Sequence, residues 1–275
     1  MAAKLEPKRT RGRPRSVEGG GVVQALDRGM ALLRALARAE RTTLTEIALS
    51  AGMAPSTAHR LLNTMQRHGV TAFDEASQHW MIGVEAFRIG SSFVRRTNLV
   101  EASRSAMHDL MEDSGETANM AIADDGDVVF ISQVETNDPI RAFFRPGTRG
   151  YMHASGIGKA LLAELSRPEV EGILARKGLP IFTPKTLTSP DALFADLEAT
   201  RRRGWSLDDE ERTLGMRCLA AAIFNEHREA VAGVSISGPV VRLPDTRLAE
   251  FGARVRRAAA AITEKVGGVL PADRS

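Results

Sequence analysis

Apolar residues return at helical spacing from Val22 to Glu40, at Val22, Leu26, Met30, Leu33 and Leu36, and predict one helix with that stripe inward. Between Thr42 and Gly69 the period appears twice more, interrupted at Ala51-Gly52. Leu44, Ile47 and Ala48 form the apolar side of a first short helix; Ala58, Leu61, Leu62 and Met65 form that of a second. Thr43 with Glu46 three residues on is a capping-box pattern, in which each residue satisfies a backbone N–H of the other. Gly52 suits the left-handed turn between the helices, Pro55 the start of the second, and Gly69 its end. The pattern then changes to Val70–Phe73, the polar run Asp74–His79, and Trp80–Gly83, which is strand, turn, strand. Three helices followed by a hairpin predict a winged helix-turn-helix over residues 21–83. Val84 to Arg96 continues as a helix whose Val84, Phe87 and Val94 offer too little surface for a core, so residues 84–97 form a linker helix that either only connects or also pairs with a partner subunit.

Beyond Asn98 helices and strands intermix. Helices are predicted at Leu99–Met111, Ala154–Leu165, Ser189–Arg203 (Leu193, Phe194 and Leu197 inward) and Asp245–Val266 (Leu248, Phe251, Val255, Ala259, Ile262 and Val266 on one face). Strands are predicted at Thr117–Ala123 and Val128–Val134 around the turn signal Asp124-Asp125-Gly126-Asp127, and at Ile140–Phe144, Trp205–Leu207, Arg217–Phe224 and Ala230–Ser237. Adjacent strands with helices make residues 98–271 an α+β domain.

Composition agrees with two folded domains: 275 residues, 43% of them hydrophobic. The net charge of +3 is uninformative, but its placement is not. Lys4, Lys8, Arg9, Arg11, Arg13 and Arg15 face one acid, Glu6, in a Pro- and Gly-containing stretch that predicts a disordered basic arm over residues 1–20. Within it Arg11-Gly12-Arg13-Pro14 matches the core of the minor-groove AT-hook, a thin segment that lets arginine enter a narrow A/T groove; a solvated basic tail has the same composition. One cysteine, Cys218, excludes a disulfide within the chain, and no apolar run approaches the ~18 residues of a membrane span. Positive charge with no apolar segment behind it is not a secretory signal, so a cytoplasmic protein is expected.

The second helix of the pair carries the candidate chemistry of the first domain. Away from its apolar stripe lie Ser56, Thr57, His59, Arg60, Asn63 and Arg67. Hydroxyls near the helix start suit phosphates or base edges, Arg60 suits guanine and Asn63 adenine, as a helix in the major groove of duplex DNA requires. With Thr45 on the first helix, Gln78 and His79 near the wing tip, and Arg11 and Arg13 on the arm, these residues form the candidate DNA-binding set.

In the second domain, Ser235-Ile236-Ser237 alternates along a strand, so both hydroxyls share one face and need a partner: a ligand, or water and neighbouring backbone. Cys218 falls on the preceding strand, with Asp208 just upstream. His153-Ala154-Ser155-Gly156-Ile157-Gly158-Lys159 opens a helix whose N–H groups suit a small anion. It is neither a P-loop nor GxGxxG, because His153, Ala160 and Leu161 stand at required positions. Cys218, His153 and Asp208 supply the residue types of a nucleophilic site, but no nucleophile elbow accompanies them and the six histidines lack metal-ligand spacing. No enzyme, no cofactor and no metal are expected.

Several stretches together resemble the IclR family of bacterial transcriptional regulators over residues 22–270: Leu44 to Gly69 with Pro-Ser-Thr-x-x-Arg-Leu-Leu, MHASGIGKALLA at 152–163, GWSLDDEERTLGMRCLAAAIF at 204–224 and VSISGP at 234–239. The resemblance implies an N-terminal winged helix-turn-helix, mostly α, and a C-terminal α+β effector-binding domain, a GAF- or profilin-like mixed sheet with helices. It implies a homodimer or homotetramer that reads near-palindromic promoter DNA in response to a metabolite. Members that sense glyoxylate, pyruvate or a similar 2-oxo acid hold it with backbone amides matching Gly156 and Ile157 and with side chains matching Asp208, Cys218, Ser235 and Ser237. Ile140, Ala142 and Phe143 correspond to wall residues that set ligand size. The residue types favour a small 2-oxo acid such as glyoxylate over an aromatic acid.

Overall fold

The computed structural model describes residues 23–97, 99–142 and 144–271. Arg11, Arg13, the whole basic arm and Phe143 lie outside the described residues. Packing divides the chain after Phe93 into two units, each described by itself.

The first unit contains α1 (Gln24–Ala39), α2 (Leu44–Ser50), α3 (Pro55–Arg67), the strands β1 (Thr71–Asp74) and β2 (His79–Ile82), and most of α4 (Val84–Thr97). Leu32, Ala35, Leu36, Ile47, Ala48, Ala58, Leu62 and Trp80 form its core. The capping box is present: Thr43 Oγ1 accepts from the Glu46 N–H at 3.4 Å and Glu46 Oε2 accepts from the Thr43 N–H at 2.9 Å. That backbone bond is the main reason the Glu46 carboxyl titrates below its ordinary range. Gly52 and Gly69 take φ of 62° and 70° at the two turns. The hairpin pairs Thr71 with Ile82 and Asp74 with His79, and reciprocal bonds between Trp80 and Thr42 fasten it to the start of α2.

The expected inward face of α1 requires correction in its first half. Leu36 is buried as expected, Leu33 half-buried, and Leu32 and Ala35 join them, whereas Leu26 is 64% exposed and Met30 45% exposed. The helix carries two apolar stripes, and the one that meets α2 and β2 wins; spacing alone could not rank them.

The second unit contains α5 (Leu99–Ser114), β3 (Thr117–Asp124), β4 (Asp127–Val134), β5 (Arg149–Tyr151), α6 (Gly156–Leu162), α7 (Arg167–Lys177), α8 (Pro190–Arg203), β6 (Ser206–Asp209), β7 (Met216–Phe224), β8 (Ala230–Pro239) and α9 (Leu248–Lys265). The strands form one sheet in the order β5-β4-β3-β8-β7-β6. Every pairing is antiparallel, so the expected mixed sheet is in fact wholly antiparallel.

Both faces of this sheet are buried, as β7 makes plain: Leu219, Ala221 and Ile223 point into a core with α5 and α9, while Ala220, Ala222 and Phe224 point into a core with α6, α7 and α8. Ordinary alternation lets β3 contribute to both cores, Ala118 and Met120 to the first and Ala121 to the second. The strand expected at Ile140–Phe144 does not form at its described positions. Pro139 lacks an N–H, Asp138 Oδ1 takes the Ile140 N–H at 3.1 Å, and Arg242 takes the Ile140 carbonyl at 2.7 Å, which leaves no ladder to join. Among the described residues no helix is long and apolar enough to cross a membrane.

Candidate nucleic-acid interface and ligand cavity

On α3 the apolar stripe Ala58–Leu62 seats the helix and leaves the opposite side open. Ser56, His59, Arg60 and Arg67 are exposed, as is Thr45 on α2; Thr57 and Asn63 are half-buried. The helix contains two arginines and no acid, and neither guanidinium has a carboxylate partner among the described residues. Two residues of the candidate DNA-binding set are tied together: Asn63 Nδ2 lies 3.2 Å from His59 Nε2, and the His59 ring meets Trp80 edge-on at 6.5 Å. Gln78 adopts φ 59° and its amide donates to the Glu75 carbonyl at 2.8 Å, closing the turn. His79 is half-buried with Nδ1 unpartnered, near enough to Glu46 to help depress that carboxyl.

In the second unit a cavity of about 310 Å³ opens between the sheet and the start of α6. Strand register builds its polar wall: Asp208 on β6 pairs with Cys218 on β7, and Cys218 pairs with Ser237 on β8, so three side chains from distant positions form one row across the sheet. The start of α6 lies on this row. Ser206 Oγ donates to the Gly156 carbonyl at 2.6 Å, and a Cβ on Gly156 would come within 2.8 Å of Cys218 Sγ. Only glycine permits that approach. Ser155 caps the helix, accepting from the Gly158 N–H at 3.3 Å.

Gly156, Ile157, Asp208, Cys218, Ser237 and Ala142 therefore line one cavity, as a common site requires. Ser235 does not line it. It sits two pairs further along the register, opposite Ala220, with its hydroxyl fully buried and without a hydrogen-bond partner. Asn119 donates to Ser237 Oγ at 3.2 Å and so orients that hydroxyl. Sequence reasoning missed the aromatic and cationic parts of the wall. Phe130 and Phe144 stack at 4.3 Å, and Tyr151, Arg141, Arg149, Arg212 and Arg217 complete the lining. Their side chains meet only through the sheet and its loops, and no local pattern marks them.

Burial sets the electrostatics. Asp208, nearly enclosed, is pushed up to about 6 by desolvation, against the pull of Lys159 and of the N–H groups it accepts, the Glu211 bond being 2.8 Å long. Behind it, fully buried Lys159 donates to Glu211 Oε1 at 2.5 Å and meets Asp196 Oδ2 at 3.1 Å. Glu211 nevertheless rises to about 7, because desolvation outweighs its cation. The Cys218 thiol is driven up to about 11 by burial and by Asp208, so it is a protonated, weakly donating group at neutral pH and not a thiolate nucleophile. His153, desolvated and below its ordinary pKa, has Nε2 3.1 Å from the Pro180 carbonyl and is thereby committed away from the thiol. No group of three or more potential metal ligands occurs among the described residues.

Family models match both units: residues 25–75 match the IclR helix-turn-helix domain, and residues 91–264 match the bacterial transcriptional regulator IclR C-terminal domain. The HTH-type transcriptional regulator BhcR of Paracoccus denitrificans is 49% identical over 257 residues, covering 91% of this chain and 92% of that one. The transcriptional repressor IclR of Escherichia coli is 48% identical over 252 residues, covering 90% and 92%. The crystal structure of a Thermotoga maritima IclR superposes with a TM-score of 0.76 at 27% identity, covering 90% of this chain and all of that one.

Proposed function

Because the chain belongs to the IclR family of ligand-responsive, DNA-binding transcriptional regulators, we propose that it senses a small 2-oxo acid such as glyoxylate and, as a homodimer or homotetramer, reads a near-palindromic promoter site of a metabolic operon. The observation that carries the reading is the convergence of Gly156, Asp208, Cys218 and Ser237 on one cavity. Helix-start N–H groups at Gly156 and Ile157 suit a carboxylate, and the Ser237 hydroxyl and Cys218 thiol suit an oxo group. Ser235 supports the row from beneath, and Ala142 with Phe143 limits the size of the acid. A high thiol pKa favours a sensor over a Cys-based enzyme.

On the DNA side, Arg60 and Asn63 read bases, while Ser56, Thr57, Thr45, His59 and Arg67 place α3 in the groove; Gln78, His79, Arg11 and Arg13 add contacts around it. The domain arrangement follows: arm 1–20, reader 21–83, linker helix 84–97, sensor 98–271. The exposed stripe Val23, Leu26 and Met30 on α1 favours an oligomer, because such a row is costly to leave in water. A ligand changes DNA affinity only by as much as it prefers one arrangement of the subunits, so sensing must act on the spacing of two recognition helices.

The test is a gel shift on the DNA upstream of the chain's own gene, with glyoxylate, pyruvate or an aromatic acid added. Glyoxylate or pyruvate should shift the apparent affinity of the parent and fail to do so for Ser237→Ala, while Arg60→Ala should weaken DNA binding by about 1–3 kcal/mol. Equal response of the parent and Ser237→Ala would remove the site from this cavity.

A further inference from the structure

Four arginines line the cavity, and three of them already have carboxylate partners. Arg141 Nε lies 2.8 Å from Glu135, Arg149 Nη1 lies 2.6 Å from Asp124, and Arg217 Nε lies 2.6 Å from Asp209. Arg212 is different. Its guanidinium lies over the Phe182 ring, 3.9 Å from the centroid, and among the described residues it has no carboxylate partner. That ring contact uses none of the N–H groups, and none of them donates to a protein acceptor among the described residues, so the N–H edge is free. That edge is a planar fork suited to two carboxylate oxygens.

The position of Arg212 is fixed from several sides. Asp208 accepts from the backbone N–H of Glu211 at 2.8 Å and from that of Arg212. Thr183 Oγ1 donates to the Glu210 carbonyl at 2.7 Å and Thr186 Oγ1 to the Glu211 carbonyl at 2.6 Å, which ties the loop to the segment that carries Phe182. The shelf is itself supported, since Phe182 packs on His153 and Tyr151. The loop backbone is thus fixed, and the supported Phe182 ring is the contact that holds the guanidinium.

The remaining polar groups on the wall do not supply a counter-charge. Ser237 and Cys218 are neutral, and Asp208 repels an anion whenever it is ionised. Taking the small-acid reading of the cavity as given, we infer that Arg212 is its charge-selecting residue, pairing through its free guanidinium edge with the carboxylate of the incoming acid.

Calorimetry on the full chain, with pyruvate and its neutral isostere pyruvamide as probes, tests the assignment. The parent should bind pyruvate more tightly than pyruvamide. Arg212→Gln should lose roughly tenfold or more in pyruvate affinity, the scale of a charge-assisted hydrogen bond, and keep its pyruvamide affinity. Its pyruvate binding should also respond less to added salt. Arg212→Lys should fall between, having the charge but not the fork. The side chain is exposed, so an unchanged melting temperature accompanies the expected result. Undiminished pyruvate binding by Arg212→Gln beside a binding parent overturns the role of Arg212 alone. A parent that binds neither glyoxylate nor pyruvate overturns the small-acid reading and this assignment with it.

Discussion

The two polar surfaces of this chain are built in opposite ways. The face of α3 draws its groups from one helix: Ser56, His59, Arg60 and Arg67 lie within four turns, exposed to water, and neither arginine has a carboxylate partner among the described residues. The cavity draws Ala142, Gly156, Asp208, Cys218 and Ser237 from separate elements and encloses them. A surface that must meet a polyanion keeps its charges solvated and cheap to present. A cavity that must recognise a few atoms has to desolvate its groups, and burial then moves Asp208, Glu211 and Cys218 well above their ordinary pKa values. Changes in the second surface should therefore be costly and pH-dependent, and changes in the first modest.

The largest contrast is expected at Lys159. Lys159→Met leaves Glu211 and Asp196 beside a buried methyl in place of an ammonium, and removing one partner of a buried ion pair costs about 3–5 kcal/mol. The sign with pH follows from the raised carboxyls. Asp208 near 6 and Glu211 near 7 in the folded chain, against ordinary carboxyl values of 3.8 and 4.5, mean that the folded state holds more protons than the unfolded state between about pH 4 and 7. Stability from these groups is thus fully present below that window and lost as pH rises through it. Removing the cation raises Glu211 further and steepens the slope. Urea unfolding should find the variant most damaged at pH 8 and partly restored at pH 5; equal loss at both pH values would mean that the cluster is not held by charge.

Close packing at the cavity floor ranks next. In Gly156→Ala the new methyl meets Cys218 Sγ at 2.8 Å and the Cys218 carbonyl at 3.1 Å, so α6 must lift from the sheet. Overpacking of this kind costs about 1–3 kcal/mol and should weaken ligand binding as well. Adding Cys218→Ala removes the sulfur contact but not the carbonyl contact, so thermal melts of the double variant should recover part of the loss. Full additivity of the two changes would show that the helix does not rest on that thiol.

How much of this was legible from residues alone depends on the range of the interactions. The capping box at Thr43 and Glu46, the turn at Gly52 and the hairpin after Gly69 are local, and they appear as expected. The inward face of α1 was legible only at Leu36, because the row through Leu26 and Met30 and the row through Leu32 and Leu36 fit the same period and only the neighbouring elements choose between them. Helix α7 is not legible although Ser166 and Glu169 form a capping pair, with the Ser166 N–H donating at 2.8 Å, because its apolar positions do not gather on one side. At three residues, β5 is too short to leave a pattern. Cys218 and Ser237 could be named from motifs, and strand register then aligned them. Arg212 and Phe182 could not, since their meeting depends on a loop strapped to the sheet by Thr183 and Thr186. Lys159 reads as an ordinary solvated lysine on a helix until Glu211 and Asp196 close over it.

The smallest effect separates the two regions most cleanly. Thr43→Ala removes the hydroxyl that caps α2 and its bond to Glu46, leaves the Thr43 N–H bond to that carboxylate in place, and touches no core side chain. Loss of such a cap costs about 1 kcal/mol. Because Thr42, next in the chain, exchanges backbone hydrogen bonds with Trp80, fraying at this point loosens the wing as well as the helix that supports α3. Hydrogen exchange should therefore quicken across α2 and β2 and leave the strands of the second unit unchanged, with DNA affinity slightly reduced and affinity for glyoxylate unaltered. Faster exchange in β7 or β8 would mean that the two surfaces share a folding unit, against the division of the chain after Phe93.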